Sequence, residues 1–321
     1  MAVDILSIEP TSISRDLKNK FVLIYSLPKV GKTSFAAEFP KNLMLAFEKG
    51  YNAISGIKVV DIPDWKTFKQ VLKQLESDKA KEIYDSVTFD TIGIAWSLCE
   101  KYICNRENVD DLSEIAWGKG FAMCTREFEE SIRKITLLGY GIVFISHSEE
   151  KPLMQGSDET IIRPAIPKRA YEVVNRVVDI IGYIGVNYSE DGTSTRTLYT
   201  RSTPNLVAGS RFKYMKNKVP FGYNELVDAL TDAIEEEGKH GGKISNERHV
   251  QYIDNTSETP FEEVMIRAKE LWKKAIDKNV LDKAVEIIEK HFGKKMKLSE
   301  ATEKQKEIVE LVNSDLEELL K

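Results

Sequence analysis

One run constrains this chain more than any other: Phe21-Val22-Leu23-Ile24-Tyr25-Ser26-Leu27-Pro28-Lys29-Val30-Gly31-Lys32-Thr33-Ser34-Phe35-Ala36-Ala37. Its opening residues are apolar without interruption, which predicts a strand covered on both faces. A Gly-Lys-Thr turn follows, and then residues that suit the first turns of a helix. This strand–turn–helix context is what a phosphate-binding loop requires. Backbone N–H groups of the loop and helix start would surround the β-phosphate of a nucleotide. Lys32 would reach the β- and γ-phosphates, and the Thr33 hydroxyl would ligate Mg²⁺. Ser26, Pro28, Lys29, Val30, Gly31, Lys32, Thr33 and Ser34 are thus the expected nucleotide-contacting residues. Ser26 stands where such loops usually carry their first glycine, a turn it can make if its φ stays negative. The competing reading is a chance Gly-Lys-Thr on a turn.

Further strands read as Leu43–Phe47, Ile57–Ile62, Tyr84–Asp90 and Tyr140–Ser146. Helical spacing appears at Trp65, Phe68, Val71, Leu72 and Leu75, and again at Phe121, Phe128, Ile132, Ile135 and Leu138 before Gly139. Strands alternating with helices predict an α/β fold with a mainly parallel central sheet flanked by helices. Val177–Asn187 and Thr195–Arg201 then flank Asp191-Gly192, a hairpin signal. A helix over about Tyr223–Glu237 stops at Gly238. The expected organisation is a nucleotide-binding domain over 1–237, a linker over 238–258 and a small helical unit over 259–321. That unit opens at Thr259-Pro260-Phe261-Glu262, with Thr259 as N-cap and Glu262 closing a capping box. Nothing in it suggests chemistry, and it reads as an interaction or dimerisation module.

Mg²⁺ in such a site needs a second oxygen donor. Asp90 closes a hydrophobic strand and suits that role, although it could also cap the helix near Thr91–Tyr102. No Glu follows it, so a base for hydrolysis must come from elsewhere. Glu48 ends the strand after the loop's helix, at the sheet edge where ligands of open α/β sheets gather, and is the candidate base. Its alternative is a solvated charge beside Lys49-Gly50. His147 ends another strand and is either a γ-phosphate sensor or an exposed loop histidine.

With these residues the chain resembles the RecA-like P-loop ATPases. More closely, it is similar to phage-encoded AAA-type nucleotide-binding proteins associated with single-strand annealing recombination. The resemblance covers about residues 19–235 and rests on Ser26–Thr33, Phe47–Gly50, Asp61–Trp65, Ser86–Asp90, Trp117-Gly118 and Ser146-His147. It implies ATP as ligand, Glu48 as base, Ser146-His147 as sensor, single-stranded DNA as partner, and homo-oligomers in which one subunit completes its neighbour's site. It also implies work beside a phage recombination or single-strand-binding protein in the host cytoplasm.

The segment Ser148–Arg169 reads as a long loop of neutral balance facing that DNA. Arg201–Lys218 is basic, with Arg201, Arg211, Lys213, Lys216 and Lys218, no acid, and Phe212 and Tyr214 interleaved. It is a single-strand-binding strip, a source of a catalytic finger such as Arg211 acting across subunits, or a solvated ribbon.

Composition removes other classes. Hydrophobic residues at 42% and charged residues at 30% describe a globular chain. No stretch is apolar enough to span a bilayer, and the N-terminus is no secretory signal. The net charge of −5 confines nucleic-acid binding to local patches. Three cysteines without a CxxC fit reduced thiols better than disulfides or zinc. No Arg-rich lid suggests a small-molecule kinase, and Asn217-Lys218-Val219-Pro220 lacks the Asp of a guanine-recognition motif. The remaining alternative is a nucleotide-gated assembly or binding module that hydrolyses little and ignores DNA.

Overall fold

Phe21-Val22-Leu23-Ile24-Tyr25-Ser26 is buried at every position, as a strand walled in on both faces must be. In the computed structural model it lies inside the main sheet, and its side chains divide by the pleat. Phe21, Leu23 and Tyr25 join one core cluster, Val22 and Ile24 the other. The structure describes residues 6, 8, 10–16, 18, 20–154, 158–189, 191–247, 259–293 and 297–321.

The chain divides into two compact units, Pro10–Ile253 and a second made of Asp254–Lys321 together with Met1–Glu9. The first runs β1 (Ile13–Ser14), β2 (Phe21–Ser26), α1 (Lys32–Ala37), β3 (Asn42–Ala46), β4 (Lys58–Asp61), α2 (Trp65–Leu75), α3 (Asp78–Ile83) and β5 (Ser86–Asp90). It continues with α4 (Ile92–Glu107), α5 (Lys119–Leu137), β6 (Gly141–Pro152), β7 (Thr160–Pro164), α6 (Lys168–Val177), β8 (Ile180–Tyr188) and β9 (Ser194–Tyr199). It ends with β10 (Gly209–Ser210), β11 (Lys218–Pro220), α7 (Tyr223–Lys239) and β12 (Ile244–Ser245). Among the described residues the main sheet has the order β11-β9-β8-β2-β6-β5-β3-β4. The ladders from β8 through β4 are parallel, and β9 and β11 add an antiparallel margin.

Two helical layers cover the sheet. On one face Trp65, Phe68, Phe89, Trp96, Phe128 and Phe144 form an aromatic core, with Trp65 and Phe68 centroids 4.5 Å apart. The other core joins Phe35 of α1 to Leu226, Leu230 and Ala233 of α7. Helix α2 starts where its sequence says it should: the Asp64 carboxylate accepts the Thr67 N–H at 2.7 Å. Cys99, Cys104 and Cys124 are buried free thiols, and burial pushes the Cys99 thiol's pKa up.

Several expectations need correction. Ser148–Arg169 is largely ordered rather than a loop. β6 continues past Ser146 to Pro152 and folds back as β7, with Ser148 opposite Pro164, while Gly156 lies outside the described residues. The following helix α6 buries Ala170, Val173, Val174 and Val177, a helical stripe that the sequence displays. The expected linker is also partly structured. Helix α7 runs to Lys239, and Ile244–Ser245 pairs in parallel with Ile13–Ser14; residues 248–258 lie outside the described residues.

The second unit packs α8 (Phe261–Asp277), α9 (Leu281–Phe292) and α10 (Lys306–Leu319) around Leu271, Ala275, Ala284, Ile288, Val312 and Leu316. Here Pro260, not Thr259, is the N-cap of α8, and no side chain caps that end. Among the described residues no helix is long and apolar enough to cross a membrane.

Candidate functional site

Parallel pairing carries the ends of β2, β3 and β5 and the middle of β6 to one edge. Ser26 of β2 stands opposite His147 of β6, Asp90 of β5 opposite Ile145, and Ala46 of β3 opposite Asp90. The chain leaves β2 into the Gly31-Lys32-Thr33 loop and leaves β3 into Phe47-Glu48. Residues far apart in sequence therefore meet at the C-terminal edge of a parallel sheet.

The loop contains two left-handed positions, Lys29 (φ 64°) and Gly31 (φ 111°). Ser26 does not have positive φ, so it makes the turn in the way its side chain allows. Its presence adds a polar contact. The Lys32 ammonium donates to the Ser26 carbonyl (3.2 Å), the Ser26 hydroxyl (3.2 Å) and the Leu27 carbonyl (2.8 Å). Burial pushes the Lys32 pKa down, against the attraction of Asp90 and Glu48. The ammonium is therefore held against loop oxygens that a phosphate could replace.

The Thr33 hydroxyl donates to Asp90 Oδ2 at 2.8 Å. Asp90 is buried, and that burial raises its pKa; the Thr33 bond opposes the rise and the Glu48 charge adds to it. Thr91, not Asp90, is the N-cap of α4, so the capping alternative for Asp90 fails. A Cβ built on Gly50 would lie 3.5 Å from Thr33 Oγ1 and 3.6 Å from Asp90 Oδ2. The missing side chain leaves room beside two hard oxygen donors. That suits Mg²⁺, which takes few protein ligands and completes its shell with water and phosphate. Gly50 is a site residue that motif reasoning quoted without giving it this role.

Glu48 and His147 come together: Glu48 Oε1 lies 3.4 Å from His147 Nε2. The other ring nitrogen, Nδ1, is buried without a hydrogen-bond partner among the described residues. The Glu48 main chain is fixed by its N–H to the Asp90 carbonyl at 3.2 Å. The turn beyond it is tied down by Asp61, which accepts the Tyr51 hydroxyl at 2.5 Å.

Arg211 does not join this site in its own chain. Its guanidinium pairs with Asp179 at 3.6 Å, and Asp179 accepts the N–H of Phe21. Phe21 begins β2 while the loop leaves from Ser26 at its end, about 17 Å away at ~3.3 Å per residue. The rest of the basic strip is also engaged. Arg201 donates to the carbonyls of Ser210, Phe212 and Lys213, and Lys216 pairs with Asp232 at 2.8 Å. The arginine that reaches the loop is Arg196 of β9, whose Nη1 donates to the Val30 carbonyl at 3.0 Å. A lone arginine in a hairpin strand carries no motif, and only the fold reveals it.

Residues 18–212 match the AAA_24 family, described as an AAA domain. The chain is 29% identical over 333 aligned residues to the SPbeta prophage-derived uncharacterized protein YorG of Bacillus subtilis (strain 168), covering 100% of this chain and 99% of that one. Among solved structures it matches the flagellar accessory protein FlaH of Methanocaldococcus jannaschii at 12% identity and a TM-score of 0.33, covering 63% of this chain and 84% of FlaH.

Proposed function

Because the chain belongs to the AAA domain family, we propose that it is a Mg²⁺-dependent ATPase of phage type whose turnover is coupled to single-stranded DNA. The observation that carries hydrolysis is the 2.8 Å contact of Thr33 with Asp90 beside the buried Lys32, with the Glu48 carboxylate on the adjoining strand end.

The loop's N–H groups and Lys32 bind the β- and γ-phosphates. Thr33 and Asp90 would hold Mg²⁺, which when bound would neutralise charge at the phosphate oxygens. Glu48 orients a water in line with the γ-phosphorus and takes its proton as the new O–P bond forms. The bond to the bridging oxygen breaks, and ADP leaves with the electron pair. Lys32 stabilises the charge that gathers on the oxygens.

Support for DNA coupling comes from β6, which runs unbroken from His147 into the hairpin with β7. A contact between His147 and the γ-phosphate is thus one strand from the hairpin. Beyond β7 in the chain, the Arg169 guanidinium lies 5.0 Å from the Phe121 ring, and Trp117, four residues before Phe121, is 94% exposed. Such surfaces stack and track single strands. Oligomers of this chain and contact of the helical unit with a recombination or single-strand-binding protein in the host cytoplasm belong to the same proposal.

Phosphate release from ATP with and without single-stranded DNA tests it. Wild type turns over ATP, faster with DNA and less so at high salt. Lys32→Ala loses nucleotide binding. Turnover by wild type that DNA leaves unchanged would remove the DNA coupling, and absent turnover with intact binding would make the chain a nucleotide-gated module.

A further inference from the structure

Arg196 is unused by the chemistry above, yet it touches the phosphate loop. Its guanidinium donates to the Val30 carbonyl at 3.0 Å and packs 4.9 Å from the Phe221 ring. The Phe221 ring stacks in turn on Phe35 of α1, at 5.1 Å between centroids. Nη1 stands 2.7 Å from where a Cβ on Gly31 would be, in the space that glycine leaves open. Among the described residues Arg196 forms no ion pair.

We propose that Arg196 reads the terminal phosphate in its own subunit: it holds the Val30–Gly31 peptide in the nucleotide-free chain and exchanges that carbonyl for a γ-phosphate oxygen when a triphosphate binds. This rests on the nucleotide-binding reading of the loop and deepens it. A neutral carbonyl occupies one of five guanidinium donors, and an anionic oxygen makes the stronger, charge-assisted bond. The planar fork suits phosphate better than an ammonium does. The stack on Phe221 holds the guanidinium close to its target at little further ordering cost.

The position is built by the fold. The β8–β9 hairpin sets the register of Arg196 opposite Val186. The Phe221 N–H donates to the Arg196 carbonyl at 3.1 Å, which ties main chain and ring to the same residue.

The test is titration of fluorescent ATP and ADP analogues into the full chain, for wild type, Arg196→Ala and Arg196→Lys. Arg196→Ala is expected to weaken ATP binding about tenfold relative to ADP, the scale of one lost charge-assisted hydrogen bond. Arg196→Lys should recover part of the difference, and the thermal midpoint without nucleotide tracks folding. An unchanged ATP-to-ADP ratio in Arg196→Ala overturns the proposal while leaving nucleotide binding intact. Wild type that binds neither analogue overturns the underlying reading as well. Mixing Arg196→Ala with Lys32→Ala subunits separates geometries. No recovery of turnover supports action within one subunit, and recovery assigns Arg196 to a neighbour's site instead.

Discussion

Replacing Glu48 by Gln tests the base most directly, because the structure separates its chemical effect from a structural one. The side chain is about one-third exposed and pairs with His147 at 3.4 Å. Its main chain, anchored to the Asp90 carbonyl, is untouched by the change. Loss of such a half-exposed pair costs less than ~1 kcal/mol of stability, and the amide keeps the shape. Turnover is a different matter. Removing a positioned base lowers the rate by about 10²–10⁴-fold, or ~3–5 kcal/mol in the barrier. A second effect follows from Asp90, whose pKa is raised first by burial and further by the Glu48 charge. Mg²⁺ competes with a proton for that carboxylate, so Mg²⁺ affinity falls as the pH drops through the raised pKa. Glu48→Gln removes one cause of the rise, and the fall should move to lower pH. The assays are phosphate release at saturating ATP and Mg²⁺ titration of nucleotide binding across pH 4–8. Turnover within twofold of wild type, or an unmoved Mg²⁺ profile, would refute the assignment.

Three other substitutions separate site from scaffold. Arg211→Ala should keep ATP turnover but lose ~1–3 kcal/mol in urea unfolding, because it strips a partner from the buried Asp179 at the far edge of the sheet. Gly50→Val should raise the Mg²⁺ concentration needed for nucleotide binding, since its branches would fill the space beside Thr33 and Asp90; an unchanged Mg²⁺ midpoint would show that the ion sits elsewhere. Trp65→Ala should cost ~3–5 kcal/mol by chemical denaturation, because a nearly fully buried indole leaves the aromatic core and Glu127 loses its Nε1 donor at 3.0 Å.

The legible parts share a cause: their information is local. An unbroken apolar run, an Asp before Trp65, a Gly at φ 83° between two strands and a Gly-Lys-Thr turn each act within a few residues of themselves. Helix α6 went unread, although its stripe at Ala170, Val173, Val174 and Val177 has helical spacing, because the prolines and mixed charges before it read as loop. The β6–β7 hairpin stayed hidden because its strands carry charge on an exposed ladder, where alternation no longer marks burial.

By itself the sequence determined that a β-strand, a phosphate-sized turn and a helix would follow one another, and that Glu48 and Asp90 would each stand at a strand end; His147, expected at another end, lies inside β6 instead. Only the tertiary structure decided which ends stand side by side, because parallel register is set by crossovers through the helical layers and not by neighbours in the chain. It also decided which cations are spent. Arg211 and Arg201 are consumed by a carboxylate and by carbonyls of their own surroundings, while Arg196, with no motif to announce it, is delivered to the loop by hairpin pairing.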